Sequence, residues 1–235
     1  MSNITRVQLA QSFSATGAQS YTTAVQNPGW NCLITAAVKI FNSTAANLGT
    51  VTLSGNGLTW VEIGHVDFET IAAPTSRLYI FRALAPASGP KPTPGAVTIT
   101  VSGTTNTDCH WDFQEWHGID LSGTSGSGAI GKIGSNSSDS ATSITVTLAS
   151  VAKDSAVYLA YGVGDSAQTD SPGVGYSALA DLKDGTPNFE SLFTEWGSPG
   201  TTTPSASDSG ASAGARTAFA IEIRAAQPTF IQTLW

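Results

Sequence analysis

The sequence predicts an all-β protein, a two-sheet antiparallel β-sandwich of jelly-roll type, and three observations support this fold class. About twelve short segments alternate apolar and polar residues with the period of two that strands require. Gly, Pro and Ser separate these segments at short intervals, which is typical of sandwiches and barrels. No segment longer than about ten residues keeps the 3.6-residue periodicity and the caps of a helix.

The central element of this prediction is the stretch Cys109–Asp120, which reads as a strand in the middle of a sheet. Alternation gives one face to Cys109, Trp111, Phe113 and Glu115, and the opposite face to His110, Asp112, Gln114 and Trp116. Two large aromatic rings on the first face indicate that it anchors the core. Glu115 on that face is expected to be a paired structural carboxylate, with Arg77 or Arg82 as its partner.

The other predicted strands follow from alternation and from the turn residues between them. They are Thr5–Ser14, Cys32–Phe41, Val51–Leu53, Leu58–Ile63, Arg77–Leu84, Val97–Ser102, Ile130–Ile133, Ile144–Leu148, Ala156–Val163, Tyr176–Leu182, Leu192–Trp196 and Thr217–Arg224. The glycines of Ser54–Gly57 predict a hairpin between the third and fourth of these strands. The low-complexity stretch Gly197–Gly214 is expected to be a long exposed loop.

Length and composition favour one large domain over residues 1–226, followed by a tail over residues 227–235. A chain of 235 residues is within the range of single all-β domains. Charged residues are only 11% of the chain and the formal net charge is −7, with the few basic residues scattered. Because no basic stripe is present, a nucleic-acid partner is not expected.

The N-terminal residues and the cysteines bear on where the protein works. The start, MSNITRVQLAQSF, lacks the pattern of a secretory signal, and no apolar run is long enough to span a bilayer. Assembly in the cytoplasm without membrane association is therefore expected. Cys32 and Cys109 lie on apolar strand faces, which favours two reduced cysteines, with a disulfide between them as the alternative.

One strand resembles a catalytic motif. His65, Asp67 and Glu69 alternate along one face, and the stretch resembles the E-I-D-F-E strand of laminarinase-like jelly-roll glycosidases. In that family the first Glu is the nucleophile and the last is the acid, but His65 stands at the nucleophile position here. Because a retaining glycosidase needs two carboxylates, a solvated polar strand face is favoured over catalysis or metal binding.

Three further patterns resemble functional motifs but lack the structural context that those motifs require. Gly210–Gly214 spells the G-x-S-x-G string of serine hydrolases, but it precedes a predicted strand, and no His follows His117. Gly126–Gly131 spells G-x-G-x-x-G, but it opens no helix and is interpreted as a flexible turn. The acidic segments Asp165–Asp170 and Asp181–Asp184 lack the alternating ligands of a calcium loop. No catalytic residue, cofactor or metal is predicted.

The tryptophans and the tail supply the predicted contact surfaces. Trp30 and Trp111 are assigned to the core, whereas Trp60, Trp116 and Trp196 are candidates for a glycan-binding platform. The tail carries Phe230, Ile231, Leu234 and Trp235, too many apolar groups for nine residues to bury alone. They are expected to pack on this domain or, with Met1–Arg6, on a neighbouring subunit.

A resemblance to a known group completes the functional prediction. The matching residues are Gly57, Thr59 and Trp60, then Arg77, Phe81 and Ala83, then Glu115, Trp116, Gly118, Ile119 and Asp120. Over roughly residues 50–225 this pattern resembles β-sandwich proteins encoded in bacteriophage genomes. The resemblance implies a virion component, either a head decoration or a tail or fibre module, and it carries over no catalytic residues.

The predicted function is therefore a non-enzymatic bacteriophage virion structural protein, most simply a capsid decoration or head-surface protein. Its expected partners are the major capsid or other virion proteins and further copies of the same chain in a homo-oligomer. The alternative is a carbohydrate-binding adhesin of tail or fibre type that recognises host surface glycans. Both functions place the protein in the virion.

Overall fold

The computed structural model describes residues 4–44, 48–69, 74–86, 88–103, 105–164, 170–184, 190–198 and 205–227, with backbone alone for residues 205–212. The described residues form thirteen strands and one short 3₁₀ segment, Thr124–Ala129. The strands are β1 Thr5–Ser14, β2 Ser20–Thr22, β3 Cys32–Phe41, β4 Val51–Gly55, β5 Val61–Phe68, β6 Ser76–Ala85, β7 Val97–Val101, β8 Asp108–His117, β9 Ile130–Thr147, β10 Ala156–Gly164, β11 Tyr176–Lys183, β12 Ser191–Gly197 and β13 Ser205–Ile223.

These strands form three antiparallel sheets. The central sheet has the order β1-β8-β3-β6-β5, the back sheet has the order β11-β12-β10-β13-β9, and the small sheet has the order β2-β7-β4. The predicted all-β antiparallel sandwich is confirmed. The small sheet is an addition to the two predicted sheets, and it turns the sandwich into three layers.

The central sheet is the middle layer, so its inner strands are buried on both faces. Every residue of β3 is buried, as is every residue of β8 except His117. Trp111 and Phe113 pack against the small sheet, which confirms that they anchor the core. Trp116 and Leu33 point the other way, into a cluster shared with the back sheet. The strand centred on Trp111 thus lies between the small sheet and the back sheet.

The outer face of the back sheet is covered by part of a long two-stranded ribbon, formed by β9 and β13. β9 and β13 pair from Ile130 with Ile223 out to Thr147 with Ser205. The far half of the ribbon folds over the sheet, because Ile144, Val146 and Leu148 pack against the outward side chains of β10. The prediction of an exposed loop over Gly197–Gly214 is wrong from Ser205 onward. These small residues do not alternate between apolar and polar, so the sequence does not indicate a strand. Their backbone nevertheless pairs with β9.

The predicted hairpin between Val51–Leu53 and Leu58–Ile63 is also wrong. The tight turn exists, since the amide of Leu58 donates to the carbonyl of Gly55 at 3.1 Å and Asn56 has a φ of 57°. The strands on either side separate, however, because β4 pairs with β7 and β5 pairs with β6. The turn therefore carries the chain from the small sheet to the central sheet.

Two glycine-rich strings have structural roles. Gly126 is buried in the 3₁₀ segment with a φ of 76°, and an added Cβ would meet the side chain of Leu33 at 2.8 Å. The G-x-G-x-x-G string is therefore a packed turn rather than a flexible one. The G-x-S-x-G string at Gly210–Gly214 lies within β13. Cys32 and Cys109 are both buried and free, as favoured from the sequence.

Candidate functional site

The most unusual feature of the described residues is a layer of polar side chains between the central sheet and the back sheet. Alternation along β3 and β8 turns these side chains toward the back sheet, which adds partners from β10, from β12 and from the residue before β12. The buried layer, called the polar layer below, consists of Lys39, Asp108, His110, Asp112, Gln114, Glu190 and Thr194, each no more than 1% exposed. Buried polar groups require internal partners.

Asp112 is the acceptor at the centre of one half of the polar layer. Its Oδ2 accepts hydrogen bonds from the Thr194 hydroxyl at 2.8 Å and the Tyr158 hydroxyl at 3.2 Å. Its Oδ1 accepts from Nε2 of Gln114 at 2.6 Å and from Nε2 of Gln8 at 2.7 Å. Burial raises the pKa of Asp112, and these four donors oppose that rise. The carboxyl group therefore fastens β8 to β1, β10 and β12.

Lys39 and Glu190 form an ion pair in the other half of the polar layer. Lys39 Nζ contacts Glu190 Oε2 directly and lies 5.8 Å from the centre of the Phe68 ring. Desolvation opposes the charge on Lys39, but contact with Glu190 outweighs it and raises the pKa of Lys39. Burial raises the pKa of Glu190 to about 8 despite the ammonium beside it. Both charges are therefore held away from water.

Asp108 and His110 complete this half of the polar layer. Asp108 Oδ1 lies 3.7 Å from Nδ1 of His110, and the Phe13 ring stacks on the imidazole with centroids 5.3 Å apart. Burial raises the pKa of Asp108 to about 7; Lys39 opposes the rise, and the nearby carboxyl of Asp184 adds to it. Burial also lowers the pKa of His110 well below its usual value. At neutral pH the imidazole is therefore uncharged.

Asp108 gives a testable pH dependence. The folded protein holds this proton up to about pH 7, whereas an unfolded chain releases it near pH 4. The stability contributed by the neutral carboxyl is therefore complete below pH 4 and declines as the pH rises to 7, by at most on the order of 4 kcal/mol. Urea unfolding between about pH 3.5 and 8, a range that brackets both values, should show this decline.

The matched control for this measurement is Asp108→Asn, which mimics the neutral carboxyl at every pH. Its stability should fall less than that of the wild type over the same pH range. Equal slopes for the two proteins would show that Asp108 is ionised throughout and that this pKa assignment is wrong.

The polar layer was not predicted from the sequence. One signal is present in the sequence, since Lys39 is the only charged residue in the largely apolar stretch Cys32–Phe41. A charge within a strand buried on both faces needs a buried partner of opposite sign. Glu190 carries no comparable signal, because it precedes a strand of a different sheet and its sequence neighbours do not mark it as buried.

The three residues of the glycosidase-like strand do not converge on one site. Nδ1 of His65 lies 2.6 Å from Oε1 of Glu62, and Asp67 is paired with Arg77. Glu69 lies beyond the end of β5 with a φ of 62°, and its Oε2 accepts hydrogen bonds from Thr75 and Ser76, each at 2.8 Å. The three side chains expected to share one polar face thus each bind a different set of partners.

Glu115 is buried, as expected, but its predicted partners are wrong. Its Oε2 accepts a hydrogen bond from the amide of Gly29 at 2.7 Å, and its Oε1 lies 2.6 Å from Nε2 of His117. Arg82 donates instead to the carbonyl of Ser125 at 3.1 Å. The backbone amide of Gly29 therefore takes the place of the expected arginine. Matching residues of opposite charge in the sequence does not identify a backbone donor of this kind.

The three candidate glycan-binding tryptophans do not form one platform. Trp116 is fully buried, and Trp196 packs against it edge-on with ring centroids 5.6 Å apart. Trp60 lies on the opposite side of the central sheet, against Phe113. Trp111 is buried as predicted, but Trp30 is 55% exposed, so its assignment to the core is wrong. Glycan binding stays a prediction without a site built from these residues.

Several predicted features fall partly or wholly outside the described residues. The tail residues Phe230, Ile231, Leu234 and Trp235 lie there, as do residues 1–3 and 165–169. Within the described acidic segments, Lys183 pairs with Asp181 at 3.0 Å and lies 3.6 Å from Asp170. In the described part of the chain, no group of three or more His, Cys, Asp or Glu side chains is placed to hold a metal. No helix described by the structure is long and apolar enough to cross a membrane.

Comparison with known proteins adds one weak similarity. No protein-family model and no curated protein matches the chain. A solved structure from Red Clover Necrotic Mosaic Virus is similar at 13% sequence identity with a TM-score of 0.26, over 98% of this chain and 100% of that one. A TM-score this low does not establish a common fold.

Proposed function

We propose that this protein is a non-enzymatic structural component of a bacteriophage virion, most simply a capsid decoration or head-surface protein. The observation that carries the proposal is the distribution of exposed apolar side chains on strands whose outer edges pair with no other strand that the structure describes. β1 ends the central sheet and β9 ends the back sheet. Val7 and Phe13 on β1 and Ile133 on β9 are 48%, 40% and 51% exposed.

Unpaired edges with apolar side chains are surfaces for association. An edge strand presents free amide and carbonyl groups to a neighbouring strand, and soluble proteins usually protect such edges with charge, especially with Lys. β1 has a single charged residue, Arg6, whose Nη1 donates inward to Gln114 at 2.8 Å. The edge of β1 is therefore suited to contact with a second copy or another virion protein.

The interior supports the same proposal. Three layers joined by buried apolar clusters and by the polar layer make a rigid unit, and a repeating shell component must keep its shape outside a cell. The resemblance over roughly residues 50–225 to phage-encoded sandwich proteins points to the same class. A polar but weakly charged surface, with 11% charged residues, suits contacts between symmetric neighbours.

Val7→Lys tests the association. A lysine on the outer strand should block strand pairing and remove apolar contact, which weakens assembly by at least about tenfold in dissociation constant. Light scattering across a concentration series measures the oligomeric mass. The matched control is Thr100→Lys, which adds the same charge at an exposed position of β7, the middle strand of the small sheet.

Two results would contradict the proposal: a wild-type chain that is monomeric at every concentration, or a Val7→Lys protein that assembles like the wild type. Removal of Gln227–Trp235 in the same assay tests the predicted tail contact separately. Loss of assembly in that truncation alone would move the interface from β1 to the tail.

A further inference from the structure

The Lys39–Glu190 pair joins two layers of the protein at a place that water does not reach. Lys39 projects from β3 in the central sheet, and Glu190 directly precedes β12 in the back sheet. Their side chains are 0% and 1% exposed. Among the described residues, the second carboxyl oxygen of Glu190, Oε1, has no hydrogen-bond partner. An amine and a carboxyl group are thus held in contact across a dry interface, with one carboxyl oxygen unused.

A third ionisable group lies beside the pair. Asp108 opposes Phe41 on the neighbouring strand, while Lys39 opposes His110, so Asp108 is the diagonal neighbour of Lys39 on the same face. Diagonal neighbours are within reach of long side chains. The Phe68 ring covers Lys39 Nζ, and Asp108 itself is fully buried. The geometry therefore provides a nucleophile, an electrophile and a proton carrier in one enclosed space.

We propose that Lys39 and Glu190 react to form an intramolecular amide bond between the central sheet and the back sheet, with Asp108 as the proton carrier. The proposal concerns a covalent modification of the chain and is independent of the proposed virion function.

The reaction balances without any other reactant. The Lys39 ammonium first passes a proton to the Glu190 carboxylate, which gives a neutral amine and a neutral acid. The amine nitrogen then attacks the carboxyl carbon of Glu190 and forms the C–N bond. Asp108 protonates the departing hydroxyl, the C–O bond breaks, and water leaves. The nitrogen returns a proton to Asp108, so this carboxyl ends as it began.

Burial favours this reaction. Desolvation opposes the charge on both groups. It raises the pKa of Glu190 to about 8, which brings the acid form of Glu190 within reach at neutral pH. The pKa of Asp108, raised to about 7, suits a group that both donates and accepts a proton. Fixed contact replaces a bimolecular encounter, which is a large part of the barrier to such reactions. Exclusion of water also prevents hydrolysis of the product.

The bond would serve the fold as a permanent cross-link. It closes the chain between residues 39 and 190, and a covalent loop of this length restricts the unfolded state much as a disulfide does. Unlike a disulfide, an amide is insensitive to reduction. Cys32 and Cys109 are free, so they supply no such link.

The decisive experiment is intact-mass spectrometry of the purified wild-type protein. The expected mass is lower than the sequence mass by one water molecule, and digestion should release one branched product that contains both Lys39 and Glu190. A folded wild-type protein that keeps the full sequence mass after prolonged incubation would overturn the proposal. This readout needs no variant and no assembly, so it is separate from the test of virion function.

Variants assign the roles of the three side chains. Lys39→Met should show the full sequence mass of that variant, whereas Glu190→Gln should lose one ammonia, because an amide nitrogen then leaves in place of a hydroxyl. Asp108→Asn retains both reacting groups and should slow bond formation at least a hundredfold, with the fold checked by circular dichroism. Bond formation in Asp108→Asn at the wild-type rate would overturn the role of Asp108. A loss of water in Lys39→Met would overturn the assignment of the amine.

Discussion

Replacement of Trp116 by alanine is expected to destabilise the protein by about 4 kcal/mol, the range found when a large aromatic side chain is removed from a core. Trp116 is the largest fully buried side chain among the described residues, and it lies between the central sheet and the back sheet. Its ring meets those of Tyr158 and Trp196 edge-on, with centroids 5.7 and 5.6 Å away. Its Nε1 donates to the hydroxyl of Thr35 at 2.8 Å. Alanine leaves a cavity between the sheets and removes these contacts together.

The midpoint of urea unfolding, monitored by circular dichroism, measures this effect. Trp116→Phe keeps much of the apolar volume but loses the hydrogen bond to Thr35, so it should cost less than the alanine variant. Trp30→Ala is the control for a tryptophan at an exposed position, where a change within about 0.5 kcal/mol is expected. Equal losses in Trp116→Ala and Trp30→Ala would contradict the placement of Trp116 in the core.

The contrast between Trp116 and Trp30 shows what alternation reveals and what it does not. Period-two spacing correctly separated the faces of β8, with Trp111 and Phe113 on one side and Trp116 on the other. It could not indicate that both sides are covered, because that depends on the small sheet and the back sheet packing against the same strand. This is why alternation leaves Trp116 as a candidate for a glycan-binding platform, although the residue lies in the core.

The sequence predicts strand boundaries where apolar and polar side chains alternate. It does not predict them where only backbone hydrogen bonds to a neighbouring strand define the strand. Thr5–Ser14 and Cys32–Phe41 match β1 and β3 at both ends. Ser205–Ile223 was predicted only in its last part, since its Ser, Ala and Gly residues resemble a loop. The separation of β4 from β5 is likewise a matter of long-range pairing, because a tight turn is compatible with strands that join different sheets.

The candidate site was less accessible from the sequence than the fold. Lys39 was a visible anomaly within an apolar strand, but its partner Glu190 lies 151 positions away in the sequence. A buried ion pair forms only when the fold brings its members together, so neither local composition nor motif spacing identifies it. In the motif that is visible in the sequence, His65 and Asp67 pair with neighbouring side chains of the central sheet. The carboxyl group of Glu69 instead lies close to Gly164 of the back sheet.

Replacement of Asp112 by alanine is the second change expected to have a large effect. Four donors would lose this acceptor at once: the hydroxyls of Tyr158 and Thr194 and the side-chain amides of Gln8 and Gln114. The amide of Gln114 keeps its bond to Gln8 Oε1 at 2.7 Å, so the two hydroxyls carry most of the loss. An orphaned buried donor costs about 1–3 kcal/mol. Because part of that cost is recovered by rearrangement, a loss of about 4 kcal/mol in the free energy of unfolding is expected.

Asp112→Asn separates the loss of hydrogen bonds from the loss of charge. The asparagine Oδ1 can still accept from the amides of Gln8 and Gln114, while its Nδ2 can donate to the hydroxyl oxygens of Tyr158 and Thr194, since hydroxyl groups rotate to accept. It also removes the cost of burying an ionised group, which is the reason that the pKa of Asp112 is raised. Its urea midpoint should therefore lie within about 1 kcal/mol of the wild type. If asparagine costs as much as alanine, the ionised carboxylate is itself essential. In that case the negative charge of Asp112 contributes more to the four hydrogen bonds than its burial costs.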